Sequence, residues 1–131
     1  MKSQFLKPPL LLPAVLFLIS CGGATDKPEF YVYKILTPAE WQHSQDKAFV
    51  VLSGIDVESL FIHLAEEKNY EEIAKRFANG ATEAVILKLN PAKLTGLLVK
   101  ETNPGDPTKY YHLYDGSIPM DAVVSVSVLK L

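Results

Sequence analysis

Apolar residues are arranged in two different ways along the 131-residue chain. Residues 1–20 are mostly apolar, whereas the remainder alternates short apolar runs with polar turns. Two lysines precede the apolar run at 8–19, and three prolines interrupt it. A transmembrane helix needs about 20 apolar residues, and internal prolines break helices, so this run is too short and too interrupted to span a membrane. The pattern predicts a cleaved signal peptide over residues 1–20.

Six segments after residue 28 have the β-branched, aromatic and apolar character that is typical of strands. The predicted strands are 30–36, 59–64, 83–90, 96–102, 110–114 and 122–129. In the second strand, alternation places Leu60, Ile62 and Leu64 on one side and Phe61 and His63 on the other. His63 is therefore expected to project away from the aliphatic face.

Two helices are predicted between the strands. Thr37 is placed to cap a short helix that starts at Pro38, and Glu40 completes a capping box. A longer helix is predicted over 66–78, because apolar residues recur there at helical spacing. These residues are Tyr70, Ile73, Ala74 and Phe77. Strands dominate and no βαβ pattern repeats, so we expect one α+β domain over residues 29–131, with a mixed or antiparallel sheet.

The composition narrows the classes of function. The net charge is −2, and the predicted signal peptide holds two of the lysines, so the remaining chain is more acidic still. A surface of this sign argues against nucleic-acid binding, which needs dense positive charge. The single cysteine, Cys21, excludes an intramolecular disulfide.

The end of the predicted signal peptide has a specific form. Leu18-Ile19-Ser20-Cys21 resembles the lipobox of bacterial lipoproteins. The resemblance implies that Cys21 is lipidated and that residues 21–28 form a short tether, which makes a membrane of the bacterial cell envelope the expected partner. In lipoproteins of enteric bacteria, aspartate directly after the lipidated cysteine retains the protein in the inner membrane. This chain has Gly22 at that position, so the periplasmic face of the outer membrane is the expected location. The alternatives are an ordinary secretion signal with an incidental cysteine, or a buried N-terminal helix.

Two histidines in predicted strands are the first candidates for a site. His63 and His112 are each either a general base, a ligand-binding donor or a satisfied core histidine. They would meet in one cleft if their strands are neighbours, and Tyr114 shares a face with His112. Glu101 lies in an otherwise apolar strand, where a carboxylate needs a partner or water. Zinc is a weak alternative for these residues, since the chain has no metal-binding or phosphate-binding motif. No metal or cofactor is identified.

The order of several short segments resembles the family known as domain of unknown function 952. The resemblance rests on Tyr33-Lys34-Ile35-Leu36 followed by Trp41, on Phe61-Ile62-His63-Leu64, on the helix with Phe77, on Glu101, on His112-Leu113-Tyr114-Asp115-Gly116 and on the segment 118–123. It implies a fold like that of ADP-ribosyltransferases. The family usually has glycine and serine on either side of the Phe-Ile-His-Leu segment, where this chain has Leu60 and Ala65.

Three functional hypotheses follow, and the sequence leaves open whether the protein is an enzyme. The favoured one is a lipid-anchored module that binds a small ligand through His63, His112 and Tyr114. The second is an enzyme acting on a nucleotide or NAD-like substrate. By the likeness to ADP-ribosyltransferases, His63 would hold the ribose, Tyr110 or Tyr114 would stack on nicotinamide, and Glu101 would stabilise the developing positive charge. The third is a structural or interaction lipoprotein without a small-molecule site.

Overall fold

A computed structural model describes residues 27–131, so Cys21 and the predicted signal peptide lie outside the described residues. Within this range the chain forms six strands, three short helices and two 3-10 turns. The strands are β1 (Val32–Leu36), β2 (Phe61–Leu64), β3 (Glu83–Leu89), β4 (Leu97–Thr102), β5 (Lys109–Tyr114) and β6 (Val123–Lys130). The helices are α1 (Pro38–Ser44), α2 (Gly54–Ser59) and α3 (Tyr70–Arg76), and the 3-10 turns are Pro91–Lys93 and Met120–Ala122.

The strands form two antiparallel sheets of three strands each. One has the order β1-β3-β6 and the other the order β2-β5-β4. An isolated antiparallel bridge between Tyr33 and Ala65 joins β1 to the end of β2, so the two sheets meet at this point. The predicted α+β class is confirmed, with purely antiparallel pairing.

The central strand β3 is buried on both faces. Val85 and Leu87 lie in one apolar cluster, against which Trp41 of α1 packs. Ala84 and Ile86 point to the opposite side, where α3 contributes to a second cluster. A strand that is buried on both sides reads as a continuous apolar run, which is the pattern of residues 84–87.

The short helix α1 forms as its sequence predicts. The Thr37 side chain accepts a hydrogen bond from the Glu40 backbone N–H, and the Glu40 carboxylate accepts one from the Thr37 N–H. Both halves of the capping box are therefore present, and Pro38 occupies the first helical position.

The segment before β2 differs from the prediction. Ser53 occupies the N-cap position of α2, and its backbone N–H donates to the Asp56 carboxylate. This helix covers residues 54–59, whereas the sequence pattern predicts a strand from residue 59. The helix ends at Leu60, whose φ of 67° lies in the left-handed region and whose side chain is 82% exposed. Leu60 is therefore not part of an aliphatic face, and β2 begins only at Phe61.

The helix predicted over residues 66–78 is shorter in the structure, where it covers Tyr70–Arg76. The backbone N–H of Glu66 donates to the Asn69 side chain at 2.8 Å, and this turn delays the start of α3 until Tyr70. Phe77, expected on the buried stripe, is 66% exposed and lies just beyond the end of the helix. No helix within residues 27–131 has the length and apolar character needed to cross a membrane.

Candidate functional site

The two candidate histidines face each other across neighbouring strands. His63 of β2 is paired directly with His112 of β5. Residues opposite one another in an antiparallel pair project to the same face, and the two ring centroids are 5.7 Å apart. The neighbouring residues Ile62 and Leu113 are buried on the other face, in the core. The face that carries the histidines is therefore the polar, partly open face of the sheet.

His63 is held in place by a buried carboxylate. Asp56 of α2 accepts two hydrogen bonds at Oδ1, from His63 Nδ1 at 2.9 Å and from the His63 backbone N–H at 3.0 Å. An ionised carboxylate can only accept, so neutral His63 carries its proton on Nδ1. Its Nε2 is then an unprotonated acceptor, and the His63 side chain is 32% exposed. This arrangement fixes the orientation of the ring and leaves one basic nitrogen for another group.

The carboxylate that positions His63 forms an ion pair with a lysine inside the domain. Lys34 Nζ lies 2.6 Å from Asp56 Oδ2, and the two side chains are 4% and 0% exposed. Lys34 Nζ also donates to the backbone oxygen of His63 at 3.3 Å. Burial by itself raises the pKa of Asp56, but the hydrogen bonds from His63 and the charge of Lys34 outweigh it and hold the pKa well below its usual range. Asp56 is therefore an anion at neutral pH.

The other three predicted site residues form a second cluster. His112 Nδ1 lies 2.8 Å from Glu101 Oε1, which also accepts a hydrogen bond from the Tyr114 hydroxyl. The hydrogen bonds from Tyr114 and His112 lower the pKa of Glu101, and the same contact with Glu101 raises the pKa of Tyr114. Glu101 is thus an anion on the same face of the sheet as His63, with its side chain 37% exposed.

His112 itself is enclosed. It is 2% exposed, and the Phe61 ring stacks on it with centroids 4.0 Å apart. Its Nε2 is buried and has no hydrogen-bond partner among the described residues. Phe61 also contacts the rings of His63 and Tyr114. His112 is therefore packed inside an aromatic cluster and presents no exposed nitrogen.

A cavity of about 600 Å³ opens beside His63 and its partner Asp56. Most of its wall is apolar and comes from β1 and α3, while His63 and the loop between β4 and β5 supply polar groups. Its lining includes Tyr33, His63, Ile73, Arg76, Phe77 and Tyr110. Of the four residues predicted for a site, only His63 lines this cavity, and Glu101, His112 and Tyr114 lie outside its wall.

A second polar group stands on the cavity wall. The Tyr110 hydroxyl donates to Asp106 Oδ2 at 3.1 Å. Arg76 lies beside Tyr110 and forms an ion pair with Glu72 at 2.6 Å, and its side chain is 47% exposed. The contact with Tyr110 raises the pKa of Arg76 most, and the contact with Glu72 raises it further. The cavity therefore has a basic histidine nitrogen and, separately, a guanidinium beside a phenol.

Three side chains of the candidate site were not predicted from the sequence. Asp56 could have been found from Ser53-Gly54-Ile55-Asp56, which has the spacing of a capping box and marks a helix start. Lys34 is a charged residue inside the apolar strand β1, and its need for a buried partner was a signal. Arg76 lies in the last turn of α3, where a cation suits the helix dipole and an i,i+4 pair with Glu72, so its charge gave no separate signal of a site.

The arrangement does not assemble a metal centre in the part of the chain that the structure covers. No group of three or more His, Cys, Asp or Glu side chains within residues 27–131 is placed to hold a metal ion. His63 and His112 each direct Nδ1 to a different carboxylate, Asp56 and Glu101. The two clusters are therefore carboxylate–histidine pairs.

The fold and this site define a small α+β domain with a carboxylate-oriented histidine at a cavity between two antiparallel sheets. The model of the family described as "Protein of unknown function (DUF952)" matches residues 35–126. The chain belongs to this family.

Solved structures support the same fold. The crystal structure of protein CC0527 from Caulobacter crescentus is 28% identical, with a TM-score of 0.66, and the match covers 77% of this chain and 87% of that one. A double mutant of CC0527 matches with 27% identity, the same TM-score of 0.66 and the same coverage of 77% and 87%. Among curated proteins, none is significantly similar to this chain.

Proposed function

We propose that this domain binds a small organic ligand in the cavity beside His63. The observation that carries the proposal is the fixed orientation of His63, whose Nδ1 is occupied by the buried, ionised Asp56 at 2.9 Å. The ring lies on the cavity wall with Nε2 available as an acceptor. A ligand site is commonly a mostly apolar cavity of about 300–1,000 Å³ with a few well-placed polar groups.

The lining indicates the chemistry of the ligand. Tyr33, Ile73 and Phe77 offer aromatic and aliphatic surface for a flat or apolar body. His63 Nε2 would accept a hydrogen bond from a hydroxyl or N–H of the ligand. Arg76 is paired with Glu72 at 2.6 Å, and its remaining N–H groups beside Tyr110 would favour a strongly polar end. A nucleoside or nucleotide meets all three requirements.

Calorimetric titration of the full-length chain in mild detergent tests the proposal. The probes are adenosine, ADP-ribose and NAD. We expect one of them to bind, and we expect His63→Phe, which keeps an aromatic ring but loses Nε2, to weaken binding at least about tenfold, the equivalent of one lost hydrogen bond. His43→Phe is the matched control, because His43 is exposed on α1 and does not line the cavity. Equal affinity in both variants would remove His63 from the site, and no binding by any probe would favour the interaction-protein hypothesis.

An enzymatic role is the second candidate, and Glu101 favours it. This carboxylate is kept ionised by Tyr114 and His112 on the same face of the sheet as His63. Because Glu101 lies outside the cavity wall, it would stabilise positive charge that develops on the part of a substrate extending from the cavity over β4. The expected likeness to ADP-ribosyltransferases makes NAD the first substrate to try. Glu101→Gln should abolish release of nicotinamide while leaving the urea midpoint nearly unchanged, and absence of release by the unsubstituted chain would refute this candidate.

The membrane anchor is a separate proposal. We propose that Cys21 is lipidated and holds the domain at the bacterial cell envelope, at the periplasmic face of the outer membrane. The Leu18-Ile19-Ser20-Cys21 sequence supports it, and two or more acyl chains are enough for durable attachment. Cys21→Ser should move the protein from the membrane fraction to the soluble fraction. Retention of Cys21→Ser in membranes would contradict lipid anchoring.

A further inference from the structure

The C-terminal strand β6 is the free edge of its sheet. It pairs with β3 on one side and with no other strand among residues 27–131. An edge strand presents a row of backbone N–H and C=O groups that can pair with another chain. With Val123–Lys130, β6 is also the longest strand of the domain as described. It therefore offers an extended template for pairing.

The apolar face of this sheet continues to the edge without a cover. Val85 and Leu87 of β3 are 4% and 0% exposed. Their partners in register on β6, Val128 and Val126, are 59% and 43% exposed. Val124 is 52% exposed on the same strand. A second apolar surface placed alongside β6 would complete the burial that stops at β3.

The devices that usually protect an edge strand are sparse in β6. Residues 123–129 contain no charged residue and no proline, although edge strands commonly carry both. A register shift opposite Lys88 and Leu89 marks one irregularity at the start of the strand. Lys130 is the single charged residue of β6, and it lies at the opposite end. The middle of the strand is thus open to pairing.

We propose that β6 pairs antiparallel with β6 of a second copy of this chain, about a two-fold axis at Val126. The segment Val-Ser-Val-Ser-Val at 124–128 reads the same in both directions. A two-fold axis perpendicular to the sheet places like faces side by side. It therefore sets Val126 against its own copy, Val124 against Val128, and Ser125 against Ser127.

This register also matches the charges at the ends of the strand. Lys130 falls opposite Ala122 of the second copy, next to Asp121, so the only cation of β6 lies near an exposed anion. The two lysines lie at opposite ends of the paired strands and do not repel each other. The product is one continuous six-stranded sheet across two chains, with each cavity outside the interface, because the cavity wall includes no residue of β6.

Cysteine cross-linking of the full-length chain tests the register. Opposed Cβ atoms of an antiparallel pair are about 4.5–5.5 Å apart, so Val126→Cys should form a disulfide between two copies under mild oxidation. Val124→Cys alone should not, because its two copies are offset by four residues, roughly 13 Å along the strand. Val124→Cys mixed with Val128→Cys should cross-link. The unsubstituted chain, which has only Cys21, controls for other disulfides. Cross-linking of Val124→Cys with itself but not of Val126→Cys would overturn the proposal.

Light scattering in mild detergent tests the pairing itself. The unsubstituted chain should have the mass of two chains, and Val126→Lys should halve it by placing two like charges at the axis. Val57→Lys is the matched control, since Val57 is a similarly exposed valine on α2 and should leave the mass unchanged. Circular dichroism establishes that each variant is folded. A single-chain mass for the unsubstituted protein, or a two-chain mass for folded Val126→Lys, would overturn the proposal.

Discussion

Replacement of Asp56 by asparagine would leave a lysine charge unpaired inside the domain. Asp56 Oδ2 lies 2.6 Å from Lys34 Nζ, and the two side chains are 0% and 4% exposed. Asparagine has nearly the same shape, so the packing around α2 is preserved while the charge is lost. The Lys34 ammonium would then lie in a low-dielectric region with no counter-ion.

The structure sets the size of the effect. Removal of one partner of a buried ion pair costs about 3–5 kcal/mol, because the remaining charge stays desolvated. The whole free energy of unfolding of such a domain is about 5–15 kcal/mol. Asp56→Asn should therefore lose a large part of the stability. With a urea slope of about 1–3 kcal/mol per M, the urea midpoint should fall by at least about 1 M.

Urea unfolding of the full-length chain in mild detergent, followed by circular dichroism, measures this loss. A second substitution, Lys34→Met, should restore most of it in the Asp56→Asn background, because an apolar side chain of similar length replaces the unpaired ammonium. The matched control is Asp46→Asn. Asp46 and Lys47 form an ion pair at 3.3 Å whose side chains are 85% and 53% exposed, and such a surface pair contributes about 0–1 kcal/mol.

Two results would refute this reasoning. A loss of less than about 1 kcal/mol in Asp56→Asn would place its effect in the range of a surface pair. Failure of Lys34→Met to recover stability in the double variant would show that the unpaired ammonium is not the cause.

Three further predictions concern the same region. The folded pKa of Asp56 is lower than its unfolded value, so its contribution is complete above about pH 4 and is lost as the pH falls further; acid titration of the urea midpoint checks this. Glu101→Gln should lower the raised pKa of Tyr114 towards its ordinary value, measured by ultraviolet absorbance of the phenolate, and an unchanged titration would exclude their contact. Leu60→Gly should stabilise the domain by up to about 1 kcal/mol by thermal unfolding, because Leu60 has a φ of 67° and is 82% exposed; destabilisation would contradict this.

The local sequence was sufficient wherever a signal and its structural consequence lie within a few residues. The helix α1 is the clearest case, since Thr37, Pro38 and Glu40 satisfy its first turn without help from the rest of the chain. Strand identity was also predictable, and β3 and β5 lie close to their predicted limits. Alternation correctly placed His63 away from the aliphatic face, and it correctly placed Tyr114 on the same face as His112.

Local patterns failed where two elements compete for the same residues. Ser59 and Leu60 fit the alternation of β2, but the cap at Ser53 begins α2 and Leu60 ends it in a left-handed conformation. The same capping signature would have placed Asp56 in a helix. Even so, the partner of Asp56 could not have been named, because Lys34 is 22 residues away along the chain and reaches Asp56 only through the packing of α2 against β2.

The sequence by itself determined the α+β class, the cap of α1 and the side of β2 on which His63 lies, and it indicated Cys21 as the candidate lipidation residue. Only the tertiary structure decided that His63 and His112 have different partners and that His63 alone reaches the cavity. The physical reason is that strand and cap signals act over neighbouring residues, whereas a site depends on strand order and on long-range contacts. Pairing of β2 with β5 opposes the two histidines, and the buried Asp56 then selects one of them.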